Sequence, residues 1–266
     1  MPTFTVQAKL YYIRVSCVNV ENHIIAYYNY TMNSREKGST MGKYELHLHT
    51  SNCDKAAYLN GAEAVRLYAA RGYAGMVVTD HYFSLFGEWF SDELQGATHK
   101  EYVYRWLQGY YAAKNEGEKI GFTVLPGAEI RFDGCINDYL LYGVTEDFFY
   151  ETPRLHQLQG LKELQAILPK DACVVQAHPF RNNMTVTDPT PLFGIEGYNG
   201  NNEPIRNELA KAFAQHYGKP ITSGSDCHHE AHVARGGIET EFVIRTPEDL
   251  VRVLRSGAYR LIEPNV

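Results

Sequence analysis

The stretch Tyr44-Glu45-Leu46-His47-Leu48-His49-Thr50 constrains this chain more than any other. It reads as a buried strand that ends in two histidines. Side chains alternate faces along a strand, so His47 and His49 point the same way. Two imidazoles side by side at a strand end form half of a transition-metal site. The remaining question is whether further ligands also stand at the ends of apolar strands.

From Tyr44 onward, strand and helix signals alternate. Asn60-Gly61-Ala62-Glu63 opens an amphipathic helix that runs to Arg71, with Gly72 as its stop. Further helices are predicted over residues 100–116, 161–168, 204–216 and 247–256. Short strands are predicted at 75–78, 122–125, 173–176, 194–196, 220–223 and 241–244. Residues 130–132 and 138–144 read as a hairpin, and 82–98 as a long aromatic-rich loop. Repeated strand–helix units imply an α/β fold with a mainly parallel sheet, open or closed into a barrel. At 266 residues, one barrel accommodates the chain. Residues 1–40 differ in character: 4–30 is rich in Val, Ile and Tyr, and 31–42 is polar and reads as a linker. Met41 stands just before the histidine strand like a natural start. The expectation is an N-terminal extension over 1–40 and one hydrolase domain over 41–266.

The ligand question has a positive answer. His81, Glu129, His178, Asp226 and His228 each follow a short apolar strand. In a parallel barrel, strand C-terminal ends converge on one face, where active sites lie. A lone histidine is more often a hydrogen-bonded core or surface residue, and Asp226 with His228 alone reads as a capped turn. Recurrence at every strand end is what favours a metal site. Mixed nitrogen and oxygen donors suit Zn, Mn or Fe. A carboxylate among histidines can bridge two metals, and such a cluster lowers the pKa of a bridging water so that it yields hydroxide near neutral pH. Asp54 follows soon after His49 and is preferred over the adjacent Cys53 as a ligand, because oxygen-rich hydrolytic sites seldom need a thiolate.

The net charge of −6 disfavours long nucleic acids as partners. Five scattered cysteines, none in a CxxC pair, suit a reducing cytoplasm. No run of eighteen apolar residues predicts a membrane span, and no signal peptide is evident.

His-Leu-His-Thr at 47–50, Thr-Asp-His at 79–81, Pro-Gly-Ala-Glu at 126–129, Ala-His-Pro at 177–179 and Ser-Asp-Cys-His at 225–228 resemble, in order, the motifs of the PHP (polymerase and histidinol phosphatase) domain superfamily. The resemblance covers residues 43–266. It implies a distorted seven-stranded, TIM-like β/α barrel with two or three divalent metals at the strand ends, and phosphoesterase activity. It implies His47, His49, Asp54, His81, Glu129, His178, Asp226 and His228 as metal ligands, with Glu129 as the bridging carboxylate. The family often carries one more histidine where this chain has Asp138, which is expected to ligate in its place.

Arg131, Arg181 and Arg235 stand near motif ends, and guanidinium forks bind phosphate. Arg181, or else Arg235, is expected to hold the substrate phosphate, and His229 to protonate the leaving group. Asp80 is expected to orient a ligand or form a turn, and residues 82–89 to form an aromatic lid. The function expected is hydrolysis of a small phosphomonoester or nucleotide through a metal-bound hydroxide. Two alternatives stand beside it. One is an amidohydrolase-like C–N hydrolase, disfavoured because no lysine stands in a carboxylate-bridge position. The other is a noncatalytic metal-binding regulatory module, disfavoured because nearly every ligand position is filled.

Overall fold

Parallel strands align their C-terminal ends only when each is followed by a crossover long enough to return the chain, and this sequence supplies such crossovers along most of its length. The computed structural model describes residues 37–264. Most of the N-terminal extension, 1–36, lies outside them. Strand β1 spans Lys37–Glu45, so residues 37–42, polar in composition, pair as strand rather than serve as linker, and Met41 falls inside β1.

The crossover after β1 carries helix α1 (Gly61–Ala70). Asn60 caps it: its side chain accepts from Glu63 N while Glu63 Oε2 accepts from Asn60 N, both at 3.0 Å. Ala64, Val65 and Tyr68 form its buried stripe. Strand β2 (Tyr73–Val78) then pairs parallel to β1. The segment expected as an aromatic loop instead holds β3 (His81–Tyr82) and two short helices, α2 (Ser84–Trp89) and α3 (Ser91–Leu94). Neither helix has a side-chain cap, which is why no start signal marks them in the sequence. The helix expected over 100–116 is two, α4 (His99–Trp106) and α5 (Gln108–Ile120), hinged at Leu107.

Strands β4 (Thr123–Pro126), β5 (Ala128–Ile130) and β6 (Tyr139–Tyr142) follow. The β5–β6 connection is too short for a crossover, so the pair is antiparallel, as the hairpin reading requires. After α6 (Glu146–Glu151) and α7 (Leu161–Ile167) come β7 (Cys173–Gln176), β8 (Gly194–Asn199), α8 (Pro204–His216) and β9 (Ile221–Gly224). The chain closes with β10 (Ile238–Phe242), α9 (Pro247–Ser256) and β11 (Arg260–Leu261).

The strands sort into a five-stranded sheet, β11-β10-β1-β2-β4, and a six-stranded sheet, β3-β5-β6-β7-β8-β9. The fold is mixed α/β. The expected single seven-stranded barrel ladder is not formed among the described residues, because the strand lines break where they bend. Thr79 and Asp80 separate β2 from β3, and Gly127 separates β4 from β5. A Cβ at Gly127 would stand 2.6 Å from Val77 Cγ1 and 2.9 Å from Leu141 O, so only glycine lets the line bend there. Past β1, Leu48 makes a parallel bridge to Cys227, which lies just past β9. Among the described residues no helix is long and apolar enough to cross a membrane.

Candidate metal centre

His47 and His49 lie just past the end of β1, and both are fully buried. The chain is pinned there by Glu45, a buried carboxylate inside the strand. Its Oε1 accepts from Leu46 N, His47 N and Ser225 N at 2.8–2.9 Å. Its Oε2 accepts from Tyr68 OH at 2.8 Å and from the Ser225 hydroxyl. One side chain thus ties β1 to the β9 loop that carries Asp226 and His228. Burial raises its pKa, and the hydrogen bonds from Ser225, His47 and Tyr68 oppose that rise.

A second buried acid, Glu196 of β8, orients the first histidine. His47 Nδ1 donates to Glu196 Oε1 at 2.8 Å, which turns Nε2 toward the centre. Glu196 Oε2 accepts from His178 N and Asn199 Nδ2, each at 2.9 Å. Gly224 packs its Cα against His47 Cβ so closely that no side chain fits between them.

Around His47 Nε2 three further ligand atoms converge. It lies 3.1 Å from His49 Nε2, 3.4 Å from Glu129 Oε2 and 3.6 Å from Asp226 Oδ1. His49 Nε2 lies 3.2 Å from Glu129 Oε2 and 3.4 Å from Asp226 Oδ1. Atoms bound to one ion at about 2.0–2.2 Å stand about 2.8–3.6 Å apart, from octahedral to tetrahedral geometry. All five separations fall in that window. Glu129 reaches onward with its other oxygen, which accepts from His178 Nε2 at 2.9 Å. His178 Nε2 is 3.9 Å from Asp138 Oδ2.

A second cluster lies toward solvent. Asp54 Oδ2 is 3.6 Å from His81 Nε2, 3.5 Å from His228 Nε2 and 3.9 Å from His49 Nδ1. The His81 and His228 rings stand 4.3 and 4.4 Å from that of His49. His81 and His228 are 15% and 16% exposed, the open side of the centre. Cys53 faces away: its thiol donates to Trp106 O at 2.7 Å.

Five buried side-chain atoms here make no hydrogen bond: His49 Nδ1, Asp54 Oδ2, His81 Nδ1, Glu129 Oε2 and His178 Nδ1, with His81 Nδ1 and Glu129 Oε2 in an ion-pair contact of 2.9 Å. Buried polar atoms are rarely left so, and a cluster of imidazoles and carboxylates of this kind fits divalent cations. Charge makes the same point. Burial raises the Glu129 and Asp226 carboxyls, but surrounding histidines, with Arg181 for Asp226, hold both well below the usual carboxylate range. Asp54 is set at about 2 by His228, His81 and His49 against its burial. Burial opposes charging His47, yet Glu196, Glu129 and Asp226 raise it well above its ordinary value. Buried carboxylates and imidazoles are concentrated here, and metal binding to such sites is coupled to release of protons. His178 and Asp226 also carry positive φ values of 26° and 50°, backbone strain concentrated at the site.

Asp80 accepts from Thr50 N at 2.6 Å and Thr50 Oγ1 at 2.8 Å, so it fixes the segment that carries His49. Arg181 bonds Asp226, and also Asn202 and Asn199 at 3.0 and 3.1 Å. Arg235 lies instead along a surface cavity of about 510 Å³ with Lys211 and Glu263. Arg131 makes a two-pronged bond to Asp138. His229 is exposed and stacks on Tyr58 at 4.4 Å. In the expected lid, Tyr82 turns into the core against Trp106, whereas Phe83 lies 4.7 Å from His81 with Trp89 edge-on to it. Sequence reasoning passed over Glu45 and Glu196. Each is an acid inside an apolar strand, the same signal that marks the ligands.

Residues 204–259 match the family model described as PHP-associated. No curated protein sequence matches the chain. Several solved structures share its fold, among them these three. PsfC from Pseudomonas syringae is 17% identical, with a TM-score of 0.56 over 80% of this chain and 88% of that one. A two-domain protein from Bacteroides vulgatus containing a predicted PHP-like metal-dependent phosphoesterase is 14% identical, with a TM-score of 0.57 over 84% of this chain and 65% of that one. Endonuclease Q, in complex with a 27-mer duplex bearing an abasic lesion, is 13% identical, with a TM-score of 0.54 over 83% of this chain and 58% of that one. The chain thus spans less than two thirds of the latter two.

Proposed function

We propose that the chain is a PHP-type metal-dependent phosphoesterase acting on a small phosphomonoester or nucleotide, a reading supported by the PHP-associated match over residues 204–259 and by the shared fold of a PHP-like relative. The observation that carries this reading is the set of five ligand separations, 3.1–3.6 Å, around His47 and His49. His47, His49, Glu129 and Asp226 form the inner position, and Asp54, His81 and His228 the outer one. Glu129 bridges, with His178 on its far oxygen. Two or three divalent ions of Mn, Zn or Fe, when bound, supply an activated water and neutralise the phosphoryl oxygens. Glu196 keeps the proton on His47 Nδ1, and Glu45 holds both histidines at their stations. Arg181 stands between Asp226 and the Asn199–Asn202 turn, where its guanidinium meets a phosphate. His229, beside His228 at the exposed side, donates a proton to the leaving oxygen.

We also read the strand lines as one distorted seven-stranded barrel: β1, β2–β3, β4–β5, β6, β7, β8 and β9. The Leu48–Cys227 bridge supports closure between the first and the last. Buried free thiols at Cys53, Cys173 and Cys227 support a reducing compartment, the cytoplasm.

The test is to strip the protein of metal, reconstitute it separately with Mn, Zn or Fe, and screen phosphomonoesters and nucleotides. A duplex with an abasic site belongs in the panel, because endonuclease Q shares the fold. Turnover restored by metal and abolished in His47→Ala is expected. No phosphoester turnover with any of the three metals rejects the proposal, and cleavage of the duplex alone reassigns the substrate class.

A further inference from the structure

Two arginines reach carboxylates of this centre, and they do so differently. Arg181 bonds Asp226 through Oδ2, which also accepts from Asn199 Nδ2 at 3.2 Å. Oδ1 stays turned to His47 and His49. Asp226 therefore divides its oxygens between a fixed cation and the cluster. Asp138 does not. Arg131 Nε donates to Oδ1 and Nη2 to Oδ2, each at 2.6 Å, a fork that occupies both oxygens. His178 Nε2 stands 3.9 Å from Asp138, wider than the pairs of the inner position and equal to the widest pair of the outer one, so the arginine fork rather than this spacing sets Asp138 apart. The unpartnered atoms of the centre belong to His49, Asp54, His81, Glu129 and His178, and Asp138 contributes none.

We propose that Arg131 is the resident cation of Asp138: the buried aspartate positions the guanidinium, which takes the place of a metal ion at the Glu129–Asp138–His178 position. This rests on the metal-centre reading above. An incoming divalent ion would meet a carboxylate whose charge is already matched, and a like charge beside it. Asp138 is 1% exposed and Arg131 is 34% exposed. The arginine thus runs from a buried anchor to open solvent, 5.9 Å from the centre of the Phe83 ring. It gives the mouth of the site a permanent positive charge that metal loss does not remove. Asp138 is in this view a positioning residue.

The experiment is a count of Mn²⁺ per chain, by elemental analysis of metal-stripped protein re-equilibrated with Mn²⁺ alone. Asp138→Asn is expected to bind the parent's number of ions. Arg131→Met is expected to bind one more, and Arg131→Lys, which keeps the charge, the parent's number. Loss of an ion in Asp138→Asn overturns the proposal, as does a folded Arg131→Met with no added ion. Where Arg131→Met does not fold, the Asp138→Asn count still decides. A parent that binds no Mn²⁺ sinks the metal-centre reading and this one together. A parent that binds Mn²⁺ but hydrolyses no phosphoester fails only the proposed reaction and leaves the count to judge Arg131.

Discussion

The inner wall of the centre and its outer rim are built from the same residue types but held by different means. On the inner wall, His47 is fixed by Glu196, and the backbone of Leu46 and His47 by Glu45. Those carboxylates are themselves buried and bonded through other strands, so each ligand atom has one available direction. On the rim, His228 Nδ1 has only its own loop, Asp226 O at 3.1 Å, and Asp54 keeps an unpartnered oxygen. His81 and His228 reach solvent, and the inner histidines do not. Supporting bonds around a ligand raise its affinity and fix its orientation. On the proposed metal reading, the wall is preset to bind an ion tightly, and the rim is where ion, water and substrate exchange.

The sharpest way to break this contrast is through Glu45. Glu45→Ala leaves three buried backbone N–H groups without their acceptor. At about 1–3 kcal/mol for each unsatisfied group, the expected loss is about 4 kcal/mol or more, a large share of a domain's stability. Chemical denaturation of the metal-free protein measures it. A loss under about 1 kcal/mol would show that the wall is not held from within.

Asp80 gives a pH test of the same wall. Burial raises its pKa to about 6, against the opposing pull of His49 and the Thr50 hydrogen bonds. The folded value lies above the ordinary 3.8, so the folded state prefers the protonated acid. That stabilisation is complete below pH 3.8 and is lost as pH rises through 6, by up to about 3 kcal/mol for a shift of this size. Asp80→Asn cannot ionise and keeps an acceptor for Thr50 N. Metal-free parent should therefore lose stability relative to Asp80→Asn between pH 4 and pH 7. Parallel stability curves for the two proteins count against the burial argument.

Next comes Glu196. Glu196→Ala removes the acceptor for His47 Nδ1 and for His178 N. Loss of such a supporting carboxylate costs about 10–100-fold in metal affinity. Glu196→Gln keeps an acceptor and should lose less. Mn²⁺ titration of both variants separates orientation from charge.

The convergence of the strand ends was legible because one pattern repeats along the chain, an acid or imidazole just past an apolar run. His47, His49, His81, Glu129, His178, Asp226 and His228 all meet, and Asp54 joins them as its position suggested. The hairpin of β5 and β6 was legible for a similar reason, since its connection is short. Less was visible where tertiary contacts override local signals. The helices α2 and α3 carry no caps, and their aromatic residues pack rather than alternate. The break of the strand lines into two sheets depends on close approaches at Gly127 that no single-residue preference announces. Nor does any pattern announce that Asp138 meets an arginine seven residues before it, because the bond closes only when β5 and β6 pair.

The smallest expected effect falls on the rim, and it tests the contrast from the other side. His228→Ala removes one donor to the outer position and its contact with Asp226, and leaves the Glu45 and Glu196 bonds of the inner wall in place. The residue is partly exposed, and its backbone N–H has His232 Nδ1 as partner at 3.4 Å. Truncation there should change the stability of metal-free protein by about 1 kcal/mol or less. It should lower the outer ion's affinity while the inner ion still binds as in the parent. Two-phase Mn²⁺ titration reads the two separately: the tight phase stays and the weak phase shifts. If both phases weaken together, wall and rim are one coupled unit through His49, whose ring lies 4.4 Å from that of His228.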